Sequence, residues 1–218
     1  MNKLITISVS DSSVQYLCKK DKRLAKGIAL VGDLQYYLHD DGFDFLIHEI
    51  IEQMLSVEAG RCIYDRLAKL CNDEITVDQI NLLTDGEIRS TGTSNAKVQF
   101  IRNLTNAIER KELCLDSLKK MSDKEAMKAL TAIKGIGNWT AKMYLIFVLD
   151  RPDILPFEDG AFMQTYRWLY KTDDTSPKSI KTKCAKWSPY SSIADRYCYR
   201  LLDEGYTKKE FHLYKQID

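Results

Sequence analysis

Residues 130–143 read LTAIKGIGNWTAKM. An apolar helical pattern runs into Gly135-Ile136-Gly137 and restarts at once, with Asn138 as the expected N-cap and Trp139, Thr140 and Ala141 in the new first turn. Glycines let such a turn take positive φ values and let another backbone approach closely. The new helix N-terminus exposes unpaired N–H groups that carry partial positive charge. The stretch therefore predicts two helices joined by a tight hairpin. Two uses fit that shape: a cradle for a phosphate, with Lys134 adding a charge and Thr140 a hydroxyl, or a helix corner with no ligand at all.

Outward from the hairpin the pattern stays helical. Upstream, Ser122 and Glu125 have the spacing of a capping box. FDFLIHEIIEQML has apolar residues at 43, 46, 47, 50, 51, 54 and 55, the recurrence of one helical face. Ser56 ends that helix or caps the next, which covers VEAGRCIYDRLAKLC. AKVQFIRNLTNAIER repeats the pattern after the turn-like STGTSN. Downstream, WTAKMYLIFVLD is apolar nearly all round and is expected to be buried centrally. RPDILPFEDG holds two of the four prolines and reads as a loop,. DGAFMQTYRWLY then resumes as a helix starting near Asp159, and Pro189 opens a last long helix that ends at Gly205. ITISV reads as one short strand. The fold class is all-α, about ten helices joined by short connections.

The 218 residues carry 32 Lys and Arg against 31 Asp and Glu, a formal charge of +1, so any basic face is local,. Six cysteines contain no C-x-x-C, which excludes the usual zinc and iron–sulfur spacings,. His39, His48 and His212 lie far apart, without an evident carboxylate or cysteine arrangement for a metal. No run of about 18 apolar residues and no leader pattern occurs. The expectation is a cytoplasmic protein of a reducing compartment, nucleoid-associated in a prokaryote, that uses no membrane.

KGIGNWTAKM resembles the helix-hairpin-helix of the DNA base-excision glycosylases, the HhH-GPD superfamily. RPDILPFEDGAF is similar to the Gly/Pro-rich aspartate loop that completes their signature. KRLAKGI, FDFLIHEIIEQMLS, TGTSNAKVQFIRNL and WSPYSSIADRYCYR continue the likeness in order, and they point to the 3-methyladenine DNA glycosylase II branch. The resemblance implies two helical lobes with the hairpin and the catalytic Asp at the cleft, one lobe of roughly residues 1–40 plus 151–218 and the other of roughly 41–150 including 130–143. It also implies a monofunctional DNA glycosylase that removes alkylated bases, of the 3-methyladenine and 7-methylguanine type, from double-stranded DNA and works as a monomer. A glycosylase for a deaminated or mismatched base, and a helix-hairpin-helix protein that binds DNA damage without cutting, are the alternatives.

Residue by residue, Asp159 falls at the family's catalytic aspartate, while a cap of the following helix is its plain structural role. Glu158 is its neighbour and reads as a solvated charge. Cutting an N-glycosidic bond builds positive charge on the sugar, which an adjacent anion stabilises. Trp139 stands where strand-cutting relatives place a Schiff-base lysine, and an indole cannot form that adduct. It either stacks on an extruded base or belongs to the core. Met143 and Tyr199 fall in the base pocket, with Tyr197 about 200° away from Tyr199 around a helix. Gln53, Met54 and Ser56 match the stretch that fills the gap left by the extruded nucleotide, Met54 being the wedge or else a core residue. Lys134, Gly135, Gly137 and Thr140 are the DNA contacts of the hairpin. No cofactor and no side-chain metal site is implied. A structural Na or K ion on the backbone carbonyls of Thr131, Ile133 and Ile136 is. Glu52, Lys134, Met143, Ser191, Ser192 and Gly160 depart from the family's usual residues, Met143 by replacing a pocket aromatic, and this bears on the lesion spectrum more than on the reaction.

Overall fold

In chain order, strand β1 (Lys3–Ile7) leads to helices α1 (Ser12–Lys20) and α2 (Lys22–Val31) and to strand β2 (Leu34–Leu38). Eight helices follow: α3 (Gly42–Glu52), α4 (Val57–Leu70), α5 (Val77–Leu82), α6 (Asp85–Ser90), α7 (Asn95–Glu109), α8 (Leu115–Leu118), α9 (Asp123–Thr131) and α10 (Asn138–Phe147). The last three are α11 (Gly160–Tyr170), α12 (Pro177–Cys184) and α13 (Ser191–Asp203). The structure is a computed structural model and describes residues 3–214. Two units are built from these elements, His39–Leu149 on one side and residues 3–38 with 150–214 on the other.

In the unit His39–Leu149, helix α3 is the hub. It packs against α4, α7 and α10. Its apolar face buries Phe43, Leu46, Ile47, Ile50 and Ile51, as the i, i+3, i+4 spacing requires,. Around them lie Leu67, Ile101, Leu104, Leu130, Leu145 and Ile146, all fully buried. The helix stops at Glu52 and not at Leu55: Gln53 leaves it with ψ of 125°, and Met54 then takes a left-handed conformation with φ of 59°. Side-chain caps start the neighbouring helices: Ser56 accepts from the Ala59 N–H, and Ser122 and Glu125 close the expected capping box on α9,.

The second unit has a core of Leu17, Leu24, Ile28, Phe162, Tyr166, Leu169, Trp187, Tyr197 and Leu201. Helices α11 and α13 pack on each other and on α2. β1 and β2 form an antiparallel pair in register from Lys3 opposite Leu38 to Ile7 opposite Leu34. Sequence reading finds the first strand and misses the second, since LQYYL alternates too weakly to be told from a loop. Asp21, 2 % exposed, joins the unit together. Its carboxylate accepts from the N–H groups of Arg23 and Leu24 at the start of α2, from Trp187 Nε1 at 2.9 Å and from the Tyr170 hydroxyl, and pairs with Lys186 Nζ at 3.1 Å. Burial raises its pKa, but these hydrogen bonds and the Lys186 charge outweigh burial and hold it below the ordinary carboxylate value. Pro189 lies before α13, whose N-cap position is Tyr190, so the expected helix start is two residues early.

Candidate active site and nucleic-acid interface

Between α9 and α10 the chain reverses in six residues. The Ile136 N–H donates to the Ile133 carbonyl at 3.0 Å, and Gly135 takes φ of 113°. A Cβ built on Gly135 would lie 2.4 Å from Cβ and Cγ of Phe100 in α7, so only glycine lets hairpin and helix approach this closely,. Gly137 differs. It has φ of −86°, an ordinary extended conformation, and a Cβ there would meet nothing within 4 Å. The positive φ expected of both glycines belongs to Gly135 alone. Gly137, not Asn138, is the N-cap of α10, and it has no side chain with which to cap the helix. A helix start of this kind carries partial positive charge that favours an anion.

Lys134 is exposed, and its carbonyl accepts from Asn103 Nδ2 at 3.0 Å. Thr140 is buried, and its hydroxyl accepts from Gln53 Nε2 at 3.3 Å. Thr140 therefore fastens α10 to the neighbouring turn and does not present its hydroxyl to solvent. Trp139 is half-buried, while Met143 is buried with the core face of α10.

The turn between α3 and α4 stands beside the hairpin. Gln53 Nε2 donates to the Gly135 carbonyl at 2.9 Å as well as to Thr140. Lys97 Nζ, from α7, donates to the carbonyls of Ile51 and Gln53, both at 2.7 Å. Burial pushes the Lys97 ammonium below its usual pKa. Met54 is fully exposed, flanked by exposed Leu55 and Val57, so it is not a core residue. Ser56 is occupied as the N-cap of α4. The structure thus brings together Gln53, Met54, Gly135 and Thr140, and it adds Lys97, which the sequence reading left among ordinary helix residues.

In the other unit, the loop 151–159 delivers Asp159 to the start of α11. Asp159 is 8 % exposed and caps that helix by accepting the Phe162 N–H at 2.8 Å. It also accepts a hydrogen bond from the Tyr199 side chain of α13. Burial, then the charges of Asp195 and Asp159 and this hydrogen bond, keep the Tyr199 phenol protonated far above its ordinary range. Tyr197 points elsewhere: it is buried in the core and donates to the Gly32 carbonyl at 3.2 Å. The aspartate loop is anchored to the beginning of α13. Asp153 accepts from the Ser188 hydroxyl at 2.6 Å and from the Ser191 hydroxyl at 2.5 Å, while the Ile154 N–H donates to the Ser192 hydroxyl at 2.9 Å. The two serines that depart from the family's usual pair thus hold the loop that carries Asp159.

Asp195 was not foreseen. It is fully buried one helical turn before Tyr199, and neither carboxyl oxygen has a hydrogen-bond partner. Burial first, then the Asp159 charge, push its pKa well above the carboxylate range, with Arg196 acting against them. No spacing signal marks it, because its position on α13 is one that apolar residues fill in most helices. One histidine stands beside carboxylates. His48 Nδ1 lies 3.6 Å from Glu49 and its Nε2 3.4 Å from Glu52, and these three side chains are the one set among the described residues with metal-like grouping. Burial acts to lower the His48 pKa, but the Glu49 hydrogen bond and the charges of Glu52, Glu49 and Asp44 outweigh it and raise it.

Related proteins share this sequence and fold. DNA-3-methyladenine glycosylase 1 of Schizosaccharomyces pombe is 27% identical over 187 residues, covering 82% of this chain and 80% of its own. The solved DNA-3-methyladenine glycosidase of Bacillus halodurans superposes with a TM-score of 0.82 at 29% identity, over 93% of this chain and 96% of its own. The S. pombe 3-methyladenine DNA glycosylase in complex with abasic DNA shares the fold, with a TM-score of 0.79 at 24% identity over 94% of this chain and 100% of its own. Residues 47–189, which run from within α3 past the hairpin and Asp159 to Pro189 just before α13, match the HhH-GPD superfamily of base excision DNA repair proteins, and the chain belongs to that family.

Proposed function

We propose that this protein is a monofunctional DNA glycosylase that extrudes alkylated bases, of the 3-methyladenine and 7-methylguanine type, from double-stranded DNA and hydrolyses their glycosidic bonds. The observation that carries the reading is Asp159: a nearly buried carboxylate held by a helix N–H and a tyrosine hydroxyl, with its loop braced by Ser191 and Ser192. As the C1′–N bond lengthens, the electron pair leaves with the base and the sugar becomes cationic. An anion about 4 Å away at an effective dielectric near 20 stabilises that charge by about 4 kcal/mol, roughly a thousandfold in rate. The same carboxylate orients the water that completes hydrolysis. Trp139 supports strand retention, since no amine stands at that position to trap the sugar,.

The other unit supplies the grip. The N-terminus of α10 suits a backbone phosphate, and Met54, exposed on a left-handed turn, suits the gap that an extruded nucleotide leaves,. Extrusion costs a few kcal/mol of pairing and stacking, which an apolar wedge partly offsets. The carbonyls of Thr131, Ile133 and Ile136 are neutral oxygen donors that suit a Na or K ion, and the Ile133 carbonyl, which takes one N–H, keeps a second lone pair for it,. Such an ion would add positive charge beside the phosphate. No helix among the described residues is long and apolar enough to cross a membrane.

Single-turnover release of 7-methylguanine from methylated duplex DNA tests the reading. The wild type is expected to release free base and leave the strand intact, and Asp159→Asn to lose about a thousandfold in rate with DNA binding retained. An Asp159→Asn protein as fast as wild type would remove the assigned role. Salt-sensitive binding without any release by the wild type would make the chain a damage-binding module instead.

A further inference from the structure

The turn that carries Met54 is fixed from two sides. Its helix, α3, ends with carbonyls that have no partner in the helix and that sit at the negative end of the helix dipole. The Lys97 ammonium, reaching across from α7, takes the Ile51 and Gln53 carbonyls at 2.7 Å each. From the opposite side, the Gln53 side chain is bound to the hairpin through the Gly135 carbonyl and the Thr140 hydroxyl. Between these two fixtures the chain is forced into the left-handed conformation at Met54, which a residue with a Cβ adopts at a cost of about 1–2 kcal/mol,. The result is a methionine with its whole side chain in solvent on a backbone held by charge-assisted hydrogen bonds,.

An exposed apolar side chain on a strained turn would relax if it were free to do so. Releasing the Gln53 carbonyl allows the peptide on the N-terminal side of Met54 to rotate, and releasing Ile51 allows the last turn of α3 to fray. We propose that Lys97 is a positioning residue for base extrusion: it locks the α3–α4 turn so that Met54 is presented ready to enter the base stack, and Gln53 sets that turn in register with the phosphate-binding hairpin. This deepens the glycosylase reading and rests on it. The wedge is needed only where a base must be withdrawn from a stacked, paired duplex, so the contribution of Lys97 depends on the state of the substrate and not only on the fold.

Single-turnover release of 7-methylguanine is therefore measured on duplex and on single-stranded methylated DNA for wild type, Lys97→Met, Met54→Ala and the double variant. Lys97→Met is expected to slow duplex release at least about 10-fold while single-strand release stays within about 3-fold, since a single strand spares the extrusion cost. In the Met54→Ala background the Lys97 substitution is expected to cost less than about 2-fold on duplex, the non-additivity of two residues acting as one unit. Equal losses on both substrates, or a full additional loss in the Met54→Ala background, would overturn the role given to Lys97. Where Lys97→Met unfolds, Lys97→Gln keeps a shorter donor and is read by the same ratio. A wild type that releases no base from either substrate sinks the glycosylase reading itself, which separates the two failures.

Discussion

The two hairpin glycines should respond very unequally to the same substitution. At Gly135 an added methyl group meets Phe100 Cβ and Cγ at 2.4 Å, atoms close to the α7 backbone that cannot swing away. Overpacking of this kind costs about 1–3 kcal/mol, and placing an L-residue at φ of 113° adds roughly 1–2 kcal/mol,. Gly135→Ala is therefore expected to lose about 2–5 kcal/mol of stability. At Gly137 the methyl group meets nothing within 4 Å and the backbone is ordinary. Only the modest preference for glycine over alanine at an N-cap is lost, about 1 kcal/mol or less. Its Cβ instead stands at the α10 N-terminus, so Gly137→Ala should fold well and bind duplex DNA at least about 10-fold more weakly by crowding the phosphate. Urea denaturation followed by circular dichroism gives the stabilities, and fluorescence anisotropy with an abasic-site duplex gives the affinities. Stabilities of the two variants within about 0.5 kcal/mol of each other would refute the reasoning, because a difference that small is what ordinary surface substitutions produce.

Further expectations concern the carboxyl groups. Asp159→Asn keeps a capping oxygen for the Phe162 N–H, so its unfolding free energy should change by less than about 1 kcal/mol even as base release is lost; a large destabilisation would mean that catalytic and capping roles cannot be separated. Asp21, whose folded pKa is lowered, contributes stability that is present above the unfolded value near 3.9 and is lost as pH falls through the folded value,. Asp21→Ala should cost about 3–5 kcal/mol at pH 7 and progressively less below about pH 4, checked by denaturation at both pH values. Asp195 has the opposite sign. Its folded pKa is raised, so above about pH 4 the unfolded chain has given up a proton that the folded chain keeps, and stability falls by up to about 1.4 kcal/mol per pH unit until the folded value is reached,. Asp195→Asn should remove that slope, seen as a difference from wild type that grows as the pH rises above about 4; a constant difference would refute it.

Local sequence signals were strong wherever one element decides its own shape. The capping box at Ser122 and Glu125, the apolar face of α3 and the break at Gly135 to Gly137 all follow from contacts within a few residues, so they could be read directly. Asp159 was legible as a cap, and the structure gives it the capping bond. The length of α3 was misread by a turn because the pattern of apolar residues continues through Met54 and Leu55, which are nonetheless exposed. Hydrophobicity alone does not distinguish a side chain left in solvent from one buried in the core.

Long-range pairing left no such trace. Lys97 reaches carbonyls more than forty residues upstream, Tyr199 bonds Asp159 forty residues before it, and Asp153 fastens to Ser188 and Ser191. The difference between Gly135 and Gly137 rests on Phe100, a residue of another helix. Composition and periodicity determined which segments are helical, where they begin and which face they bury, because those are set by a 3.6-residue repeat and by caps one turn away. Which polar groups meet, which carboxyl loses its partners and which methionine stays in solvent depend on distances between segments that the one-dimensional text does not contain. Only packing in three dimensions brings those groups within the 3 Å over which hydrogen bonds act.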